Sequence, residues 1–517
     1  MMQQMVFSDP VKLNAVRYSK KEAVSYKGKR FTYEAFNHRI NQLAHALQEK
    51  GIKKGDKVSF MLFNCNEVYE IMFACSKIGA VYVPINSRFV GQEIKHIVDN
   101  SESVILIYDA QFGEEIRKIY RDVDSVQYFI SVHAKDEIAP IVYEDWIADF
   151  PVTEPEPDEP ILETDTVCFV YTGGTTGLPK GTVRSHRSMY MVLLLFSIEF
   201  AIGRNGKGLV VGPLYGAAAM SISLLNFYVG NPVHILESFH PVDVLEAIAE
   251  EKPTSTFLAP PMFDAIFSLT QDVRDSYDVS SMKTLISVGA PLLTRTKENV
   301  LSYFKEADLN EFYGASEHGG STNLFPEYQN EKERSVGLPM LGMEVKIMNE
   351  DGEEAEPGEA GEVFVKGLTL CDEYYKNPEA TQEAFKGEWL GLGDVGKQDE
   401  EGFFYLVDRK QDMILSGAIN VYPAEIEEVL YKHPKVDEVA VIGIPHQKWG
   451  EAPIAIIVLK AGESITEEEI KEFCTGRMAK YKIPKAIDFV EALPRSLQGK
   501  VLKYQLRDNY LKHNQLT

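Results

Sequence analysis

The chain has 517 residues, of which 44% are hydrophobic and 25% charged, and a formal net charge of −24. That length exceeds one ordinary core and implies two or more domains of globular composition. So acidic a balance argues against a dedicated nucleic-acid binder and against broad attachment to anionic lipid.

Five cysteines, Cys65, Cys75, Cys168, Cys371 and Cys474, are scattered and odd in number. With no CxxC pair, their spacing suggests neither a zinc site nor a disulfide framework. The N-terminus MMQQMVFSDPVK lacks a basic-then-apolar signal pattern. The longest apolar stretch, MYMVLLLFSIEF, is broken at Glu199, short of a membrane span. A cytoplasmic protein with no transmembrane segment is expected.

In chain order, residues 31–50 read as a helix capped by Thr32 and ended by Gly51. DKVSFML reads as a strand, a helical stretch follows, and AVYVPIN and SVILIYD read as further strands. Strands alternating with helices predict a parallel sheet with right-handed crossovers. The acidic, proline-rich run DFPVTEPEPDEP at 149–160 reads as an exposed linker without chemistry. TVCFVYT, rich in β-branched and aromatic residues, is a strand, and SHRSMYMVLLLFSIEF a helix. From about 336 to 408 short strands with glycine turns predict a small β-rich barrel or sheet. Beyond 411, AEIEEVLYKHP and TEEEIKEFCTGRMAK read as helices, and VDEVAVIGIP and APIAIIVLK as strands, a compact α+β unit.

Between the TVCFVYT strand and the next helix lies TGGTTGLPKG, 172–181. It fails the Walker pattern GxxxxGK(S/T), since Leu178 or Pro179 falls where glycine is needed, and it fails GxGxxG. Its composition still suits phosphate. Glycines let backbone amides turn inward, the hydroxyls of Thr172, Thr175 and Thr176 can donate, and Lys180 adds charge. Taken alone, such a loop is more often a plain turn.

This loop resembles the signature (S/T)SGTTGxPKG of the adenylate-forming superfamily, which includes acyl-CoA synthetases, adenylation domains and luciferases. Six more segments resemble its motifs in the right order: VGAPL at 288–292, FYGASE at 312–317, GLPMLGMEV at 337–345, WLGLGD at 389–394, DRKQDMILSGAINVYPAEIE at 408–427 and PRSLQGK at 494–500. The resemblance spans nearly the whole chain and is strongest to AMP-forming acyl-CoA ligases. It implies an α/β fold: a large N-terminal domain, 1–409, of parallel and mixed sheets with helices and a small β-barrel, then a small mobile α+β domain, 410–517.

The implied reaction has two halves. A carboxylate attacks the α-phosphate of ATP, giving acyl-AMP and pyrophosphate; a thiol, usually that of CoA, then displaces AMP. The implied cofactors are ATP, Mg²⁺ and CoA. Because a carboxylate must approach a polyphosphate, cations and oriented dipoles carry the first step. The resemblance implies that Thr172, Gly173, Gly174, Thr175, Thr176, Gly177 and Lys180 cradle the phosphates. It gives Mg²⁺ to Glu317, the α-phosphate to Ser316, and the carboxylate and α-phosphate to Lys500. Thr172, Glu317 and Lys500 are thus the expected catalytic residues. Tyr313 and Gly314 with Gly289, Ala290 and Pro291 would line the adenine site, and Asp394 and Arg409 would hold the ribose. Lys410 and Gln411 mark the hinge, and Gly417 the passage for pantetheine. Tyr215, Gly216 and Ala290 would border the acyl pocket.

Several positions depart from the family pattern. Gln411 stands where Asp or Lys is usual, Leu392 replaces the threonine of TGD, and Gly173 replaces a serine. The usual PLFH reads PLYG at 213–216, and GGEN reads Gly417, Ala418, Ile419, Asn420. None removes Glu317, Asp394, Arg409 or Lys500, so activity is expected. Gly216 with Ala217, Ala218 and Ala219 suggests room for a medium or long acyl chain or a bulky acid, or else merely close helix packing. The leading expectation is an ATP-dependent acyl-CoA ligase acting on a fatty or similar acid. One alternative is a stand-alone enzyme loading a carrier-protein thiol. LYGAAAM lacks the aspartate that amino-acid activators use, which disfavours an amino-acid substrate. A non-catalytic nucleotide-binding homologue is the third reading. Small-molecule partners and a homodimer are expected, and peripheral membrane contact stays open.

Overall fold

Thr32 opens the first long helix, α1 (Tyr33–Glu49): its backbone is extended and its side chain accepts from the Ala35 amide. Phe36, Ile40, Leu43, Ala44 and Leu47 recur at helical spacing and are all fully buried. Gly51 leaves the helix at φ +81°, a conformation that suits glycine. The computed structural model describes residues 4–172, 179–410, 412–416, 419–446, 450–495 and 501–514.

Beyond α1 the chain alternates β1 (Lys57–Met61), α2 (Asn66–Ile78), β2 (Val81–Pro84), β3 (Ser103–Asp109) and β4 (Tyr128–Val132). The hairpin β5 (Thr166–Thr172) and β6 (Lys180–Ser185) follows, then α3 (His186–Glu199), where Ser185 accepts from the Ser188 amide. Among the described residues these strands form one eight-stranded sheet in the order Glu373–Tyr374, β6, β5, β2, β1, β3, β4, Ile141–Val142. The run from β5 to Ile141–Val142 is parallel, and only the β6 side is antiparallel. Buried on both faces, these strands are near-continuous apolar runs rather than alternating ones. Met61, Val83, Leu106, Tyr108 and Phe169 share one core with Ile94 and Ile97 from the helix Gly91–Ser101.

The segment 149–160 is mostly exposed, as expected, but it is tethered to the body of the domain. Side chains of α1 hold its backbone: Asn41 donates to the Val152 carbonyl at 2.8 Å and Gln48 to that of Glu156 at 2.7 Å. Glu154 meets the buried ammonium of Lys77 on α2 at 2.8 Å and accepts from Asn37 at 2.7 Å. Composition reports average solvation, and here one carboxylate has a buried cation to neutralise.

A second sheet of nine strands, again counted among the described residues, runs Leu338–Pro339, β8 (Gly319–Leu324), β7 (Asp308–Ala315), Thr284–Ser287, Ser255–Phe257, Gly208–Val210, Val233–Ile235, Glu22–Tyr26, Lys29–Thr32. Its middle, from β7 to Glu22–Tyr26, is parallel. The helix α4 (Ala217–Val229) crosses between two of these strands.

By contacts the chain divides into two units, residues 1–344 with 365–390, and residues 345–364 with 391–517. The chain changes unit within Met343–Met348, Gly361–Gly367 and β9 (Trp389–Gln398), which with Phe385–Lys386 and β10 (Phe404–Arg409) make a small five-stranded sheet. In the second unit, helices Pro423–Tyr431 and Glu467–Cys474 flank a sheet built on the long hairpin Val436–His446 and Gly450–Leu459. Ile426, Leu430, Val439, Val441, Ile457 and Ile470 form its core. The structure therefore has the expected class, an α/β N-terminal region with mixed sheets, a small curled sheet, and a smaller α+β region.

Candidate active site

Three segments reach the carboxyl edge of the nine-stranded sheet from parallel strands, the edge where open α/β sheets bind ligands. Tyr215 and Gly216 follow Gly208–Val210, Gly289–Pro291 follow Thr284–Ser287, and Tyr313 and Gly314 lie at the end of β7, with Ser316 and Glu317 just beyond it. Ser287 pairs with Glu311 in parallel register, so the residues after each emerge side by side. Gly289 takes φ +102° with open space at its α-carbon, and Tyr313 lies half-buried with its ring 5.2 Å from that of His318.

The turn from β7 to β8 carries Ser316 and Glu317. Gly314 permits it, because a Cβ there would fall 2.2 Å from the Gly319 carbonyl oxygen. Glu317 is buried, and its Oε1 accepts from the Thr172 hydroxyl at 3.3 Å and the Tyr374 hydroxyl at 3.0 Å. Thr172 ends β5, so this contact joins the edges of two sheets. Lys180 at the start of β6 sets its ammonium 5.5 Å from the centroid of the Tyr374 ring. The structure thus brings Thr172, Lys180, Ser316 and Glu317 together.

Two supporting residues escaped the sequence reading. Arg184, buried on β6, donates to the carbonyl oxygens of Ser316, at 2.6 Å, and Thr369. Tyr374 lies 57 positions from Glu317. No spacing rule ties either to the acidic turn; their contacts exist only once strand Glu373–Tyr374 pairs with β6.

At the other end of that edge, burial pushes the Tyr215 hydroxyl up, against the opposing pull of Arg88 and Ser87. Gly216 caps α4. Ala219 is there for close packing, because a Cβ on Gly212 would come 2.9 Å from both Ala219 and Phe257. Ala217 and Ala218 stay half-exposed.

In the second unit Asp394 and Arg409 are register partners on β9 and β10. Asp394 is buried, and its Oδ1 meets Arg409 Nε at 2.6 Å. The Leu392 carbonyl accepts from Arg409 Nη1 at 3.3 Å. Lys410 pairs with Glu362 at 2.8 Å. Lys503, also missed from sequence, is held at 2.9 Å by Glu427; burial works against its charge, but Glu427 and Asp408 outweigh it and raise its affinity for the proton. Gly173, Gly174, Thr175, Thr176, Gly177, Gln411, Gly417 and Lys500 lie outside the described residues.

An acidic turn and a threonine-ended strand at the carboxyl edge of a parallel sheet suit an enzyme that works on a nucleotide polyphosphate. The chain belongs to the AMP-binding enzyme family: it matches AMP-binding enzyme over residues 11–375 and the AMP-binding enzyme C-terminal domain over 425–500. It is 33% identical over 494 residues to a feruloyl-CoA synthase of Amycolatopsis sp, covering 94% of this chain and 96% of the relative. To the long-chain-fatty-acid–CoA ligase FadD13 of Mycobacterium tuberculosis it is 34% identical, covering 93% of each. Among solved structures it is similar to o-succinylbenzoate coenzyme A synthetase from Bacillus subtilis in complex with ATP and magnesium ion, with TM-score 0.86, 28% identity and coverage of 98% and 100%. It is an adenylate-forming enzyme of the acyl-CoA ligase superfamily. Among the described residues no helix is long and apolar enough to cross a membrane.

Proposed function

We propose that the protein is an ATP-dependent, AMP-forming acyl-CoA ligase for a medium-length, longer or bulky carboxylic acid. The observation that carries the reading is the convergence of Thr172 and Tyr374 on Glu317, with Lys180 beside the Tyr374 ring, at the carboxyl edge of the sheet.

Magnesium suits this cluster. Glu317 offers a carboxylate whose Oε1 is occupied by two hydroxyls, while no described residue donates to its Oε2. Carboxylate and hydroxyl oxygens are the hard donors that magnesium takes beside phosphate. When bound, the ion supplies positive charge that screens the triphosphate from the incoming carboxylate.

The chain's own groups then divide the work. The hydroxyls of Thr172 and Tyr374 hold the Glu317 carboxylate in one orientation. Lys180 brings a second positive charge to the phosphates and Ser316 addresses the α-phosphate. The substrate carboxylate oxygen bonds to the α-phosphorus as the bond to pyrophosphate breaks. In the second half a thiolate sulfur bonds to the acyl carbon, the bond from that carbon to the AMP oxygen breaks, and AMP leaves with the electron pair. Tyr313 and Gly289–Pro291 receive adenine, Asp394 and Arg409 the ribose hydroxyls, and Lys500 the reacting carboxylate. Residues 410–517 act as the mobile body that exchanges Lys500 for the face with Gly417, turning about Lys410 and Gln411.

The acid's size rests on Gly216, Ala217 and Ala218, which leave a half-exposed edge with little side-chain bulk. The test is pyrophosphate and AMP formation with ATP, Mg²⁺ and acids from acetate to palmitate plus aryl acids, each with and without CoA. Acid-dependent pyrophosphate with CoA-dependent thioester is expected. Pyrophosphate without thioester moves the acceptor to a carrier-protein thiol. A best kcat/KM on acetate or propionate overturns the size assignment.

A further inference from the structure

The eight-stranded sheet gathers a second set of chemical groups. We propose that Cys65, Glu67 and His133 form a binding site for one thiophilic divalent cation, zinc being the ion of choice. The inference is independent of the ligase reading.

Cys65 and Glu67 stand two positions apart and His133 comes from a different segment, which is why no metal-spacing rule reports the set. Their candidate ligand atoms, one from each residue, all lie within 4.8 Å of one another. Glu67 is only 2% exposed, yet its Oε2 has no hydrogen-bond partner. A buried carboxylate oxygen without a hydrogen bond is costly, and a cation there would satisfy it. That oxygen lies 3.9 Å from His133 Nε2.

The imidazole is held in place by a carboxylate. His133 Nδ1 lies 2.8 Å from the Asp109 carboxylate, which fixes the proton on Nδ1 and turns Nε2 toward Glu67. This carboxylate–imidazole arrangement is the usual support behind a metal-binding histidine. His133 also holds φ +69°, an unfavourable backbone for a side chain of that size. Neighbouring Glu70 does not compete, since its oxygens are taken by Arg39, Asn66 and Tyr143.

The position in the fold is an independent pointer. The strand order β2, β1, β3, β4 reverses direction between β1 and β3. Such a switch point opens a crevice beyond the carboxyl ends of the strands, where this fold class binds ligands. Cys65 and Glu67 follow β1, Asp109 ends β3, and His133 follows β4.

The donor set selects the ion. One sulfur, one imidazole nitrogen and one carboxylate oxygen suit zinc with a fourth, open position, and do not suit magnesium. At zinc–ligand bonds of about 2.0–2.3 Å, tetrahedral ligand atoms stand roughly 3.3–3.8 Å apart, so the present spread closes by about 1 Å. His133, whose side chain is 36% exposed, supplies both the entry path and the freedom to close it. The thiol proton of Cys65 leaves to solvent as the metal–sulfur bond forms.

The experiment titrates Co²⁺ and then Zn²⁺ into chelator-stripped full-length protein without nucleotide. One Co²⁺ per chain is expected, with a sulfur-to-metal charge-transfer band that Zn²⁺ abolishes stoichiometrically. Cys65→Ser should eliminate the band. His133→Asn, which suits the left-handed backbone, should weaken Zn²⁺ binding at least tenfold, and Asp109→Asn roughly tenfold. Glu317→Gln should leave the band unchanged, separating this site from the nucleotide's ion. Absence of the band in the unmodified protein, or Zn²⁺ affinity undiminished in His133→Asn, overturns the proposal and leaves a partly exposed imidazole beside a buried carboxylate. Should Cys65→Ser fail to fold, the partly exposed His133→Asn carries the test.

Discussion

The Thr172 hydroxyl donates to Glu317 Oε1 at 3.3 Å across 145 positions of sequence. It ties the end of a β5 strand in one sheet to the turn after β7 in the other. The end of β5 and the acidic turn are therefore set by two hydrophobic cores, and the contact is a sensitive gauge of their alignment.

Glu317→Gln keeps the shape and an acceptor oxygen but removes the charge. Acid-dependent pyrophosphate release should fall at least about 100-fold, the scale of losing one preorganised electrostatic group, with the Mg²⁺ requirement moved to higher concentration. Thr172→Ala should cost about tenfold, since Tyr374 still orients the carboxylate. A Glu317→Gln enzyme within threefold of the unmodified one, at the same Mg²⁺ requirement, would remove Glu317 from its assigned role.

Sequence alone made this turn legible because its chemistry sits in one short stretch. FYGASE holds the glycine that the turn needs and the acid that it presents. Thr172 and Lys180 were legible for the same reason, as the two ends of a single loop. Arg184 and Tyr374 were not, because they act through carbonyl and carboxylate groups brought near by strand pairing. The alternation of strands and helices from 57 to 132 was readable from apolar runs, whereas the reversal between β1 and β3 depends on which crossover packs on which face. Cysteine spacing likewise gave no hint of Cys65 beside His133. The run 149–160 is mostly exposed, as its acidity suggests, but its tether was not legible, because the cation opposite Glu154 is hidden on a helix 77 positions earlier.

Asp394 pairs with Arg409 at 2.6 Å, so its replacement acts on both the carboxylate and the guanidinium. Asp394→Asn should lower kcat/KM for ATP by about 10–100-fold, the worth of one or two charge-assisted hydrogen bonds. The effect should fall mainly on KM for ATP, with KM for the acid nearly unchanged. Steady-state kinetics with each substrate varied in turn decides it. An equal rise in both KM values would point to a general disturbance of the β9–β10 pair.

Glu154 and Lys77 form a pair in which burial dominates for the lysine. Burial holds the Lys77 ammonium down at about 8, even with Glu154 beside it. For Glu154 burial works the other way, yet Asn37 and Lys77 outweigh it and keep the carboxyl low. Removing one member of such a pair leaves an uncompensated charge, so Glu154→Gln should destabilise by about 3 kcal/mol. The Glu154→Gln, Lys77→Met double variant should be more stable than Glu154→Gln alone, because it removes the stranded charge. Urea midpoints of the unmodified protein, Glu154→Gln, Lys77→Met and the double variant measure the cycle. Limited proteolysis should also cut 149–160 faster in Glu154→Gln.

His186 gives the protein a stability loss on the acid side of neutrality. It begins α3, is fully buried, and its Nδ1 accepts from the Phe7 amide at 3.2 Å, so the ring is neutral. Burial pushes it down to about 4, against about 6.5 for a histidine in the unfolded chain. Between these values the unfolded chain binds the proton and the folded one does not. Stability therefore falls as pH drops from about 6.5 to 4, by up to about 3 kcal/mol from this one group. His186→Gln can still accept from Phe7 but cannot titrate. Its urea midpoint should sit slightly below that of the unmodified protein at pH 7. It should then decline less steeply toward pH 4.5, so that the two curves converge or cross. Other histidines, such as the half-buried His234, whose proton affinity burial also lowers, contribute equally to both proteins and cancel in the difference. Parallel curves from pH 7 to 4.5 would show that His186 is not the group that burial holds neutral.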